Sequence, residues 1–178
     1  MEKVNNFELI KPNIKDLWFK QEMLANPDTM SYNAGYEVTY SGYHYDTGCV
    51  DFPKENWKQY IDRIDEKDLF YYYILDKVTN EFVGTADFHR DENNEYMLGI
   101  VVHAKFRGRG IMRKALPLLI DKARLAGVKK LVDTVSEDRE AALRVFYDFG
   151  FKKVDEFTIQ RFRQPCTVAK IELDLQKS

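Results

Sequence analysis

Cysteine is scarce in this chain. Cys49 and Cys166 are the only two among 178 residues. They form no C-x-x-C, and two distant thiols in a chain of this length do not make a disulfide framework. Both are read as reduced, packed thiols, since no motif supports a nucleophilic cysteine. Long hydrophobic runs are missing too: no stretch approaches the ~20 apolar residues of a membrane span. The opening residues, MEKVNNFELIKP, lack the apolar core of a secretory signal. The three histidines show no H-E-x-x-H spacing, so no metal is expected. Charge of one sign is also lacking. Lys plus Arg number 27 against 29 Asp plus Glu, a net charge of −2. That argues against a protein that coats polyanions, and any positive site must be local. The expectation is a soluble, cytoplasmic protein with no membrane and no nucleic-acid partner.

What is present is ordinary globular composition, 44 % apolar and 31 % charged. Apolar and aromatic residues are too plentiful for a disordered chain. The length fits one domain, 1–178.

Three textures follow one another. In the first, Phe7, Leu9 and Ile10 suggest a short strand ending before Pro12, and Asn13 suits a helix N-cap. Ile14, Leu17, Trp18, Met23 and Leu24 then form an approximate helical stripe, ended by Asn26-Pro27. The run DTMSYNAGYEVTYSGYHYDTGCVDFP has no clear period and is expected to be irregular. Long irregular runs inside compact domains are often functional. A helix with Trp57, Tyr60, Ile61 and Ile64 on one face follows.

The second texture is a strand meander. Residues 69–75 are aromatic and β-prone, and 82–89 form the next strand. Alternation puts Phe82, Gly84, Ala86 and Phe88 on one face, and Val83, Thr85, Asp87 and His89 on the other. After a turn at RDENN, residues 95–102 return, with Glu95, Met97, Gly99 and Val101 sharing a face.

The third texture alternates helix and strand. Residues 110–126 carry Met112, Ala115, Leu116, Leu119, Ala123 and Ala126 at helical spacing, with Pro117 expected to kink the helix. Residues 130–135 read as a strand and 139–149 as a helix closed by Gly150. Strands at 151–161 and 168–175 are expected around a turn at Gln164-Pro165.

One segment carries chemistry: IVVHAKFRGRGIMRKAL. A strand ends, a glycine loop follows and a helix begins. The first N–H groups of a helix lack internal partners and add to the positive end of its dipole. Glycines let a phosphate approach them closely. Lys105, Arg107, Arg109, Arg113 and Lys114 lie here with no acidic residue among them. There is no G-x-x-x-x-G-K-[S/T] and no G-x-G-x-x-G after the first strand, so nucleotide loops of those kinds are excluded.

RGRGIM closely resembles the R/Q-x-x-G-x-G/A acyl-CoA signature of the GCN5-related N-acetyltransferase (GNAT) family. LGIVVHAKFRGRG is similar to that family's fourth strand and pyrophosphate loop, LAGVKKLVDTV to its fifth strand, and EAALRVFYDFGF to its later helix. The resemblance spans residues 69–151, roughly half the chain. It implies an α/β fold: a bent, mostly antiparallel mixed sheet with splayed central strands and helices on both faces. It also implies acetyl-CoA, held by Val101 and Val102 of the strand and by Arg107, Gly108, Arg109, Gly110, Ile111, Met112 and Arg113 of the loop. Arg139 and Phe146 of the later helix would complete that site.

The chain departs from the family at four places. Met112 replaces a Gly or Ala. Arg139 stands where many members carry Asn. Phe146 stands where many carry a Tyr, often assigned as general acid. Met97 stands where many carry a Glu base. The candidate proton-transfer groups are therefore Glu95, Asp87, His89 and Tyr147. Acetyl transfer from a thioester to an amine needs a neutral nucleophile, so a base is useful. Tyr32, Tyr36 and Tyr43 of the tyrosine-rich run are expected to cover the acceptor. His44 and His103 are read as structural or surface residues. The reading is an acetyl-CoA-dependent N-acetyltransferase for a primary amine, working as a monomer or homodimer. Two rivals are an acyl-CoA-binding regulatory module without turnover and a nucleic-acid binder using the RGRG loop. The net charge disfavours the second.

Overall fold

The computed structural model describes residues 4–64 and 69–176. Its frame is a seven-stranded sheet: β1 (Phe7–Ile10), β2 (Leu69–Asp76), β3 (Glu81–Arg90), β4 (Tyr96–Val102), β5 (Lys130–Ser136), β6 (Lys152–Arg161) and β7 (Gln164–Asp174). The spatial order is β1-β2-β3-β4-β5-β7-β6. Every pairing is antiparallel except β4 with β5. Among the described residues five α-helices complete it, besides short 3-10 turns: α1 (Leu17–Ala25), α2 (Pro27–Met30), α3 (Trp57–Ile64), α4 (Ile111–Leu125) and α5 (Glu140–Asp148). This is the mixed fold that the family resemblance implies. Among the described residues, no helix is long and apolar enough to cross a membrane.

The helices divide between two apolar clusters. Leu116, Leu119 and Ile120 of α4 pack with Leu143 and Phe146 of α5 against Ala86, Phe88, Leu98 and Ile171 of the sheet. Each such fully buried side chain contributes about 1.5–3 kcal/mol relative to exposure. Phe19 and Met23 of α1 and Ile64 of α3 pack with Tyr71 and Tyr73 in the second cluster. The Tyr73 hydroxyl donates to the Asp16 carbonyl at 2.8 Å and accepts the Lys20 N–H at 3.2 Å, so this large buried side chain leaves no polar atom unpaired.

Four local expectations are corrected. Ile14 and Trp18 are about half exposed, while Phe19, outside the expected stripe, is buried. The face of α1 is set by the aromatic cluster beneath it, not by its own weak period. In β3, a register shift opposite Ile74 and Leu75 breaks the alternation. Val83 therefore joins the α4 cluster and Phe82 the α1 cluster. Such bulges put an extra residue into one strand and cannot be read from period-2 patterning. The irregular run opens with the one-turn helix α2, because the Asn26 side chain caps the Thr29 N–H at 2.8 Å and Pro27 stands at the first turn. Finally, the β6–β7 turn is Phe162-Arg163, both at positive φ, and Pro165 lies inside β7 opposite Gln160. β5 stops pairing with β7 at Val168, so Pro165 interrupts no ladder on that side. The helix α4 runs unbroken through Pro117.

The hairpin tip is sewn to the tyrosine-rich run. Phe162 N–H donates to Gly35 O at 2.7 Å, and Arg161 donates to the Ala34 and Ser31 carbonyls at 3.0 and 2.9 Å. The segment is thereby fixed against the sheet's far edge.

Candidate active site

β4 and β5 pair only at Tyr96↔Leu131 and Met97↔Val132. Beyond Met97 the strands no longer pair, and a cleft of about 720 Å³ opens beside the far end of β4. Ile100, Val101 and Val102 of β4 line one side; Arg139, Ala141, Ala142 and Val145 line the α5 side. Gly108, Gly110, Ile111, Met112 and Arg113 line the end where α4 begins. The strand edge that lost its ladder partner keeps backbone groups free for an extended ligand arm.

The loop is built for a close anion. Gly108 and Gly110 have φ of +81° and +70°, and an added Cβ at either would meet nothing within 4 Å. Gly110 is the left-handed cap of α4, whose first turn carries no acidic residue. The basic side chains are mostly spent elsewhere. Arg107 donates to the Asp28 and Thr29 carbonyls, both at 2.9 Å. Arg113 pairs with Asp148 at 2.7 Å. Arg109 and Lys105 lie over the Phe106 ring. Arg107, Arg109 and Lys105 keep their charge in these contacts, and only Arg113 is paired with a carboxylate, so the loop offers positive charge as well as the open N–H groups at the start of α4. His103 and Thr29 brace the turn before it: His103 Nδ1 accepts from Lys105 N–H and Thr29 Oγ1 from Ala104 N–H. Burial lowers the His103 pKa and keeps the ring a neutral acceptor.

The candidate bases fall into two groups. Asp87 and His89 come together: His89 Nδ1 lies 3.0 Å from Asp87 Oδ2. That hydrogen bond raises the His89 pKa above its usual value. Asp87 stands opposite Gly99 of β4, and a Cβ on Gly99 would lie 2.5 Å from Asp87 Oδ1. The glycine thus leaves room for the carboxylate to lean over β4 two residues past its last pair with β5, although Asp87 and His89 are not themselves among the residues lining the cleft. Glu95 is held elsewhere, with Lys170 at 3.0 Å and Lys130 at 3.7 Å.

The tyrosines separate likewise. Tyr32 lines the cleft, with Arg139 stacked on its ring at 5.1 Å. Burial pushes its pKa up to about 12. Tyr36 sits beneath Arg161. The Tyr43 hydroxyl donates to Asn33 O at 2.6 Å and accepts the Tyr36 N–H, so it is spent within its own segment. Phe146 is buried against Phe151 and is not among the residues lining the cleft. Val145 lines it instead, because successive helix residues turn by about 100°. Tyr147 is 40 % exposed and also off the cleft. Tyr147→Phe is expected to keep kcat within twofold; a hundredfold loss, the scale of general acid catalysis, would put the hydroxyl back in the chemistry.

Two residues were missed in the sequence. Asp133 is the first β5 residue past the last β4 pair, on the face of Leu131 and Val135. Burial pushes its carboxyl up to about 7, opposed by the Thr134 N–H and Arg139. An acid at an inward position of LVDTV was a legible signal. Lys20 was not legible: its ammonium lies 4.4 Å from the Tyr60 ring centroid and 4.7 Å from that of Tyr71. Burial lowers its pKa to about 8, opposed by Asp87.

A sheet forked beside a glycine loop at a helix start, with a long cleft between, defines an acyl-CoA-dependent acyltransferase. Comparison with known proteins agrees. A family model, the acetyltransferase (GNAT) family, matches residues 34–151. The chain belongs to this family and is an acetyl-CoA-dependent acetyltransferase. Solved structures share the fold at low identity. A putative acetyltransferase from Salmonella typhimurium, solved with acetyl-CoA, is 16 % identical with a TM-score of 0.74, covering 98 % of this chain and 96 % of that one. A spermidine N-acetyltransferase from Vibrio cholerae, with CoA and spermine, is 13 % identical with a TM-score of 0.77 and 97 % of each chain covered. An N-acetyltransferase from Staphylococcus aureus is 20 % identical with a TM-score of 0.73, covering 96 % and 99 %. Among the described residues, no three His, Cys, Asp or Glu side chains group to hold a metal.

Proposed function

We propose that this chain, acting as one domain over residues 1–178, moves the acetyl group of acetyl-CoA to an amine nitrogen in a cytoplasmic setting, as a monomer or homodimer. The observation that carries this reading is the Asp87–His89 pair beside Gly99, next to the fork. The loop residues 107–113 fit the donor: two open positive-φ glycines and a helix start with no side-chain cap hydrogen bond suit its pyrophosphate. Acetyl-CoA supplies the activated thioester. The free edge of β4 at Val101 and Val102 aligns the pantetheine arm. As the amine nitrogen attacks the thioester carbonyl and the C–S bond breaks, His89 takes the amine's proton through Nε2, directly or by one water, and passes it on to the departing CoA thiolate or to solvent, while Asp87 holds Nδ1–H and fixes the tautomer. Tyr32 shields the acceptor from water.

The test is thiol release from acetyl-CoA across a panel of amines, with acetylated product identified by mass. Acetyl-CoA binding with no product from any amine would instead leave the non-catalytic binding module standing.

A further inference from the structure

Four arginines line the cleft, and three are spent. Arg107 is committed to the carbonyls of α2, Arg113 to Asp148, and Arg161 to the Ser31 and Ala34 carbonyls. Arg139 differs. Its guanidinium lies on the Tyr32 ring, and among the described residues no carboxylate or carbonyl accepts a hydrogen bond from it. A ring face stabilises a cation but takes up none of its in-plane N–H donors. Arg139 therefore presents a planar fork of unused donors, the shape that matches a carboxylate.

Its position indicates what that carboxylate belongs to. Arg139 caps α5 where three parts of the chain meet. The β6–β7 hairpin arrives through Arg161, which pairs with Asp138 at 3.5 Å, and the 31–36 segment arrives through Tyr32. These elements wall the cleft at the α5 end. The acidic groups facing Arg139 do not neutralise it by contact. Asp138 is taken by Ser136 Oγ at 2.6 Å and by Arg161, and Asp133 accepts the Thr134 N–H at 2.8 Å. Glu140 is exposed beside it. Tyr32 lines the cleft beside Arg139 and carries the guanidinium on its ring.

We propose that Arg139 anchors an anionic group of the acceptor, and that the acceptor is an amine bearing a carboxylate, the chemistry of a free amino acid. The amine lies toward Asp87 and His89, and the carboxylate toward the Arg139 guanidinium on Tyr32. This rests on the amine-acetyltransferase reading above. A polycationic acceptor, such as the spermine bound in the Vibrio cholerae structure, would bring like charge to this guanidinium.

The experiment compares L-amino acids with their carboxamides and their decarboxylated amines, side chain for side chain. Binding to the enzyme–CoA complex is measured by calorimetry, and turnover in parallel. The free acids are expected to bind about 10- to 100-fold tighter, the range of hydrogen bonds to a charged group. Arg139→Met is expected to erase that ratio and Arg139→Lys to keep part of it; the acetyl-CoA Kd is measured in both, because Arg139 lines the same cleft as the donor loop. Equal binding of acids and amides by the parent enzyme overturns the proposal and needs no variant. So does an unchanged ratio in Arg139→Met with a weakened acetyl-CoA Kd, which would assign Arg139 to the donor. Selective binding of acids with no acetylated product would keep the anchor and sink the amine-acetyltransferase reading instead.

Discussion

Gly110→Asp is expected to weaken acetyl-CoA binding by a hundredfold or more, while Gly110→Asn weakens it about fivefold. The two side chains are nearly the same size, so their difference isolates charge. Position 110 has φ +70° and open space where a Cβ would stand. Both variants therefore carry the same modest left-handed strain, about 1 kcal/mol, and Asn tolerates that region best among ordinary residues. Only Asp adds a negative charge beside the proposed pyrophosphate seat. At ~5 Å and an effective dielectric near 20, each unit of like charge costs about 3 kcal/mol. It also opposes the positive end of α4. Calorimetric Kd values, with melting curves to show that both variants fold, decide the matter. An Asp variant that binds within threefold of the parent would mean the donor sits elsewhere.

Asp87→Asn and His89→Gln are each expected to lower kcat by about a hundredfold, the scale of a lost general base, and to leave the acetyl-CoA Kd unchanged. The pH dependence carries the sharper signature. The base works only when deprotonated, so activity should rise with pH through the His89 pKa. That pKa lies above the ordinary 6.5 because Asp87 accepts its hydrogen bond. Asp87→Asn removes the negative charge, lowers the His89 pKa and should shift the rising limb toward acid. Gly99→Ala should act similarly without touching either residue, because its methyl would displace the Asp87 carboxylate. A rising limb that stays in place in Asp87→Asn would show that another group is the base. Asp133, with its carboxyl near 7, is the next to test.

Much of the frame was legible. Helical period marked α4, Gly150 marked a helix end at φ +95°, and the strand–glycine–helix order located the donor loop. Less of the site was legible. The basic loop read as a free positive patch, yet Arg107 and Arg113 are engaged by Asp28, Thr29 and Asp148, residues distant in sequence. Phe146 read as a cleft residue, but α5 turns Val145 into that position.

The sequence by itself determined what depends on neighbours along the chain. Asn26 with Pro27 starts a helix, Asp91 accepts from Asn93 and Glu95 N–H to turn β3 into β4, and glycines supply the positive φ of the donor loop. Tertiary structure alone decided which charges remain free. Whether an arginine is spent or available depends on the carbonyl or carboxylate that packing brings within about 3 Å, and those partners lie tens of residues away. So Arg107 became a brace for α2 and Arg161 a stitch between hairpin and segment, while among the described residues Arg139 has no oxygen acceptor in the cleft. In the same way Gly99 acquired its meaning only when β3 set Asp87 across from it.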